Sequence, residues 1–156
     1  MPKISQTNFE GDFMENNLKE LSDRIYENVR MASFAIDCLI EKIENPKLEE
    51  LLRKQNKFYL SIVTEIENFA RAQNFELKDI SGILKGMSYI SIKMKTLMNN
   101  DSPKFAEMLI QGTTMGITDT MKAQSEFETS NEELNQIAQR LVSHEEEFVD
   151  SLKTFL

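Results

Sequence analysis

Ile43-Glu44-Asn45-Pro46-Lys47-Leu48-Glu49-Glu50-Leu51-Leu52 is the stretch on which the fold turns. Asn45 carries the side chain of a helix N-cap, Pro46 has the fixed φ of a first helical residue, and Glu49 and Glu50 complement the positive end of a helix start. A helix begins here, and another has just stopped. Upstream, Leu18, Leu21, Ile25, Val29, Ala32, Ile36, Leu39, Ile40 and Ile43 share one face at ~100° per residue. Downstream, Leu48, Leu51, Leu52, Tyr59, Ile62, Val63, Ile66 and Phe69 share another. So short a connection forces the two helices to lie antiparallel, as a long hairpin.

The first helix is predicted over Asn17 to Glu44, opened by a capping box of Asn17 and Glu20, and residues 1–16 read as an N-terminal arm. Asp79 is the expected N-cap of a third, shorter helix with the stripe Ile80, Ile83, Leu84, Met87, Ser91, Met94 and Met98. Asn99-Asn100-Asp101-Ser102-Pro103 breaks the chain, and a fourth helix runs from there to about Glu128. Thr129 and Ser130, with Glu133, form a second capping box that opens a fifth helix, whose face is Leu134, Ile137, Ala138, Leu141, Phe148, Leu152 and Phe155. The long segments are roughly 40 Å at 1.5 Å per residue, so the third can carry the chain back along the bundle between two hairpins. The expected fold is all-α: residues 17–156 form one four-helix bundle of two antiparallel long hairpins, with an additional connecting helix.

Composition agrees. The 156 residues are 40% hydrophobic and 28% charged with only 3 Pro and 5 Gly, too apolar for disorder and too poor in breakers for a loop-rich fold. A formal net charge of −8 repels nucleic acid and anionic lipid, so no nucleic-acid role and no membrane insertion is expected. Cys38 stands alone, no apolar run reaches membrane-spanning length, and Met1-Pro2-Lys3-Ile4-Ser5-Gln6 lacks a signal-peptide core. A cytoplasmic protein is the expectation.

Polar residues on apolar stripes mark the candidate site. Gln55 sits mid-stripe on the second helix, Asp119 shares a face with Phe105, Met108, Gly112, Met115, Gly116 and Ala123, and Glu145 lies between Leu141 and Phe148. Asp37 and His144 stand at the margins of their faces. Asp37 and Gln55 are equidistant from Pro46, and a helical crossover brings Asp119 and Glu145 to about the same mid-bundle height. Convergent carboxylates there suit a hard metal ion, with Asp37, Gln55, Asp119, Glu145 and His144 as candidate ligands for Fe, Mn or Zn. They equally suit a buried hydrogen-bond network without metal, in which Gln55 partners Asp37 and Asp119 meets Thr113, Thr120 or a buried water; that reading takes precedence. The sequence has no phosphate loop, paired-cysteine motif or nucleophile elbow, and one His beside an acidic run is thin support for an enzyme.

Met87, Met94, Met98, Met108, Met115 and Met121 crowd the third and fourth helices and read as adaptable core filler. Gly112 and Gly116 weaken a helix interior, which implies a close backbone approach at that face. Ile110, Ile117 and Met121 form a second stripe on the fourth helix, covered by the third helix or by another subunit. Met31, Phe34 and Cys38 lie behind the main stripe of the first helix, covered by the arm with its Phe9 and Phe13 or by a dimer partner.

The long hairpins, the run Phe105-Ala106-Glu107-Met108-Leu109-Ile110-Gln111-Gly112-Thr113-Thr114-Met115-Gly116-Ile117 and the preceding Ile92-Lys93-Met94-Lys95-Thr96-Leu97-Met98 resemble small bacterial ferritin-like proteins, relatives in architecture of rubrerythrins and F-type spore-coat proteins. The resemblance implies a bacterial protein of the cytoplasm or the spore. It does not carry the di-iron site over: that site needs Glu-x-x-His on two helices, and the residue three before the only histidine is Leu141. The leading expectation is a non-enzymatic homodimeric structural or interaction protein with an unknown protein partner and no cofactor. The second is a metal-binding or redox bundle using the mid-bundle carboxylates. A third is a small-ligand carrier, which an apolar cavity lined by Met108, Met115 and Met121 would favour.

Overall fold

The computed structural model describes residues 2–79 and 81–156, with side chains from Glu10 onward. Five helices follow one another: α1 (Pro2–Ile40), α2 (Pro46–Ala72), α3 (Ser81–Lys95), α4 (Ser102–Glu126) and α5 (Glu132–Lys153). The all-α expectation holds among the described residues, none of which lies in a strand. Asn45 caps α2 through Oδ1, which accepts from the backbone N–H of Lys47 and Leu48 at 3.0 and 3.1 Å. At its other end Asn74 takes φ 60°. The Phe75 N–H then reaches the Ala70 carbonyl and the Asn74 N–H that of Arg71, a Schellman closure in which Phe75 packs edge-on to Phe69.

Cross-helix hydrogen bonds fix the topology. Asn17 Nδ2 donates to the Glu128 carbonyl and Asn28 Nδ2 to Thr120 Oγ1, so α1 and α4 are antiparallel. Tyr59 meets Glu145 and Arg140 meets Glu65, so α2 and α5 are antiparallel too. The α3 helix runs parallel to α1. The Lys78 N–H donates to Asp23 near its start, and at its end Lys42 Nζ donates to the carbonyls of Met94 (2.6 Å) and Leu97 (3.0 Å). With α1 taken as up, the bundle helices run up, down, down, up, and α3 is the crossover that returns the chain. The hairpin turns therefore fall at opposite ends of the bundle, as expected.

One core joins the four long helices: Leu21, Ile25, Val29, Ile36 and Leu39 from α1, Leu52, Tyr59, Ile62 and Ile66 from α2, Phe105 and Ala123 from α4, and Leu134, Ile137, Leu141, Phe148 and Leu152 from α5. Burial of such stripes is what holds helices together in water. No helix among the described residues is long and apolar enough to cross a membrane.

Several boundaries move. The expected arm is helical from Pro2, so Asn17 caps nothing: it is buried mid-helix and ties α1 to the α4–α5 turn. The fifth helix is capped by Asn131, whose Oδ1 accepts from the Leu134 N–H, rather than by Ser130. Met31 is covered by α3, where Gly86 leaves no room for a Cβ against its side chain, while Phe13 is largely exposed. Ile80, and Phe9 as a side chain, lie outside the described residues. Of the second α4 stripe, Met121 is exposed while Ile110 and Ile117 are half-buried.

Lys42 is the tether of α3, satisfying terminal carbonyls at the negative end of that helix. Lys42→Met is expected to lower stability by about 1 kcal/mol and to speed hydrogen exchange of α3 amides ahead of those of α2 and α5. Uniform acceleration across all five helices would contradict this role.

Candidate functional site

Glu145 stands where the apolar stripe of α5 calls for a hydrophobe, and the bundle buries it to 2% exposure. Its Oε1 accepts from the Tyr59 hydroxyl of α2 at 3.0 Å; its Oε2 is enclosed and has no hydrogen-bond partner among the described residues. Gln55, one turn before Tyr59 and also 2% exposed, bears on the same hydroxyl, as does Thr113 of α4. The Gln55 Nε2 is likewise buried without a partner. Burial pushes the Glu145 carboxyl up to about 7, although the Tyr59 hydrogen bond pulls the other way. Burial, and then the neighbouring Glu145 carboxylate, hold the Tyr59 hydroxyl well above the usual phenol range, which keeps it a donor.

Beside this pair lies a cavity that opens to solvent past Tyr89 and Met115, which are 61% and 67% exposed. This cavity of about 400 Å³ lies between α1, α3 and α4, with Glu145, Tyr59 and Phe148 as its contribution from the far side. Its walls are largely aliphatic and thioether: Met31, Ala32, Ala35 and Ile36 from α1, Ile90 and Met94 from α3, Met108, Leu109 and Met115 from α4. Glu27, Lys93 and Asp119 are its charged remainder. The two α4 glycines both line this cavity. A Cβ on Gly112, an exposed position at the edge of the cavity, would meet nothing within 4 Å; one on Gly116 would lie in ordinary contact, 3.4 Å from Glu145 Oε1. Cavities of this size and lining are the usual form of small-molecule sites.

The five residues singled out from sequence separate. Gln55 and Glu145 meet at Tyr59. Asp119 lines the cavity from an exposed position on α4. Asp37 is exposed and accepts from Asn56 Nδ2 at 2.9 Å, so its expected pairing with Gln55 does not form. His144 is half-buried and stacks on Phe58, ring centroids 3.6 Å apart, at the α2–α5 surface. Burial, and then Lys54, lower its pKa against the pull of Glu147. Among the described residues no three of His, Cys, Asp and Glu gather as a metal site requires.

Tyr59 was hidden in the sequence, because an aromatic on an apolar stripe reads as filler. Its signal is its position one turn from Gln55: two hydrogen-bonding groups stacked on a buried face need a third to satisfy them. Comparison with protein-family models, with curated proteins and with solved structures returns no match.

Proposed function

We infer that this protein is a non-enzymatic, ferritin-like bundle whose work is to bind a small, mainly apolar molecule inside the cavity between α1, α3 and α4. The connectivity supports the architectural part: two hairpins, a single long crossover, and parallel central helices α2 and α4. One observation carries the functional part. Glu145, whose enclosed Oε2 has no hydrogen-bond partner among the described residues, lines a cavity whose walls are largely apolar. A buried oxygen left unsatisfied costs about 1–3 kcal/mol, and a bound molecule that hydrogen-bonds to it removes that cost while its body fills the methionine-lined space. The thioether walls adapt to more than one shape, which suits a carrier. Nothing in the site supplies a nucleophile or a paired acid and base aimed at one point, so binding rather than turnover is the chemistry that this arrangement performs.

The polarity-sensitive fluorophore N-phenyl-1-naphthylamine tests the reading. Wild-type protein is expected to bind it saturably at one site per chain with enhanced emission. Gly112→Leu, which grows a side chain into empty space, is expected to abolish binding without loss of helicity. Binding that is unsaturable, or that the filled variant retains, would overturn the proposal.

A further inference from the structure

The charge and hydrogen-bond pattern of the cavity selects among apolar ligands. This step rests on the ligand-binding reading and adds the ligand's chemical class. Of the two oxygens of Glu145, which lines the cavity, Oε1 is already engaged by the Tyr59 hydroxyl, and Oε2 is enclosed and without a partner among the described residues. Tyr59 spends its only proton on Oε1, so the pair presents acceptor capacity and a ligand must bring the donor. The charged groups that face the cavity are Glu145 from α5, Glu27 from α1, Asp119 from α4 and Lys93 from α3; Tyr59 is the titratable group that α2 contributes. Acids outnumber the single ammonium. Glu27 is drawn to Lys78 at 3.6 Å, and Lys93 sits 5.1 Å over the Tyr89 ring. A negatively charged ligand would meet two further carboxylates and leave Glu145 with a like charge in low dielectric.

We propose that the cavity binds small aliphatic ammonium ions, the hydrocarbon lying among Met31, Met94, Met108 and Met115 and the ammonium donating to Glu145 Oε2. A buried carboxylate becomes affordable when a cation joins it, because the two charges desolvate together and the ammonium protons fill the vacant acceptor. Without ligand, Glu145 spends much of its time protonated near neutral pH, since burial holds its pKa at about 7. Binding of the ammonium then expels that proton to solvent: the carboxyl O–H bond breaks, the electron pair stays on Glu145, and the ammonium keeps all its own protons. Affinity for the ammonium accordingly follows the ionised fraction of Glu145, which rises about tenfold from pH 6 to pH 8.

Calorimetric titration with n-hexylammonium chloride, 1-hexanol and 2-heptanone, at pH 6 and pH 8 and in buffers of different ionisation enthalpy, tests this. The amine is expected to bind wild-type protein at least tenfold more tightly than the alcohol at pH 8, about tenfold more weakly at pH 6, and with proton release at pH 6. Glu145→Gln is expected to lose the amine preference and its pH dependence, while an unchanged circular dichroism spectrum and cooperative unfolding show that the variant is folded. Equal affinity for amine and alcohol, or a pH-independent amine affinity, would overturn the proposal. So would tighter binding of 2-heptanone with the opposite pH slope, which would make protonated Glu145 the donor to a carbonyl. If the fluorophore binds and hexylammonium does not displace it, the ligand class is wrong and the cavity reading stands; if the fluorophore itself fails to bind, the cavity reading falls first.

Discussion

Glu145→Gln is expected to make the protein more stable than wild type at pH 8 by about 3 kcal/mol, and no different at pH 4. The reason is linkage. In the folded chain the carboxyl has its pKa at about 7, whereas in the unfolded chain it returns to the ordinary 4.5. Between those values the folded state holds a proton that the unfolded state has lost, so stability falls as pH rises. The contribution is complete below about pH 4.5 and is spent once pH passes 7. A shift of that size corresponds to about 3 kcal/mol at 1.36 kcal/mol per unit. Glutamine copies the protonated acid: it offers Tyr59 the same carbonyl oxygen and has no proton to lose. Urea unfolding of the two proteins at intervals from pH 4 to 8 measures the difference directly. Parallel stability curves would mean that water reaches Glu145 and that its pKa is not raised.

This result would bear on function as well as stability. A glutamate that weakens the fold at neutral pH, in a position where glutamine or leucine would not, is the kind of local conflict that marks a working site. Gly112 and Gly116 likewise weaken the helix interior of α4 where it lines the cavity.

Much of the architecture was legible because it rests on local rules. The Asn45-Pro46 restart, the five amphipathic segments and the crossover follow from periodicity and capping, and the bundle obeys them. Errors fell where a local signal had a competing tertiary use. Asn17 has the composition of a cap, but with α1 continuing from Pro2 its amide is free to hold the α4–α5 turn. Ser130 and Asn131 are both good N-caps, and spacing alone does not choose between them. The site was half legible. Gln55 and Glu145 stand out as polar residues on apolar stripes and are buried together at Tyr59. Asp119 and Asp37 stand out equally in the sequence and are exposed, because stripes at ~100° per residue have margins a helix can rotate to solvent. The cavity was the least legible feature. Periodicity shows which residues face inward, not whether their volumes fill the space, and methionines beside glycines describe a packed core as well as a hollow one.

Two substitutions separate packed from hollow. Phe105→Ala is expected to cost about 3–5 kcal/mol, the usual range for emptying a fully enclosed aromatic site, since Phe105 is 0% exposed in the first turn of α4 and belongs to the common core. Gly112→Leu, two turns further along the same helix, is expected to raise stability by about 1 kcal/mol, or roughly 2–4 °C in Tm. Leucine is the better helix former, and its side chain enters space that no atom occupies within 4 Å of the Cβ. Thermal and urea unfolding of both variants, with fluorophore binding measured on each, sets stability against binding for the two sites. Phe105→Ala is expected to lose stability and keep one binding site per folded chain; Gly112→Leu is expected to gain stability and lose the site. A Gly112→Leu protein less stable than wild type would show that α3 closes over that face more tightly than the structure has it, and the space would then be packing rather than pocket. If instead stability rises as binding disappears, the hollow is a feature that weakens the fold and serves the ligand.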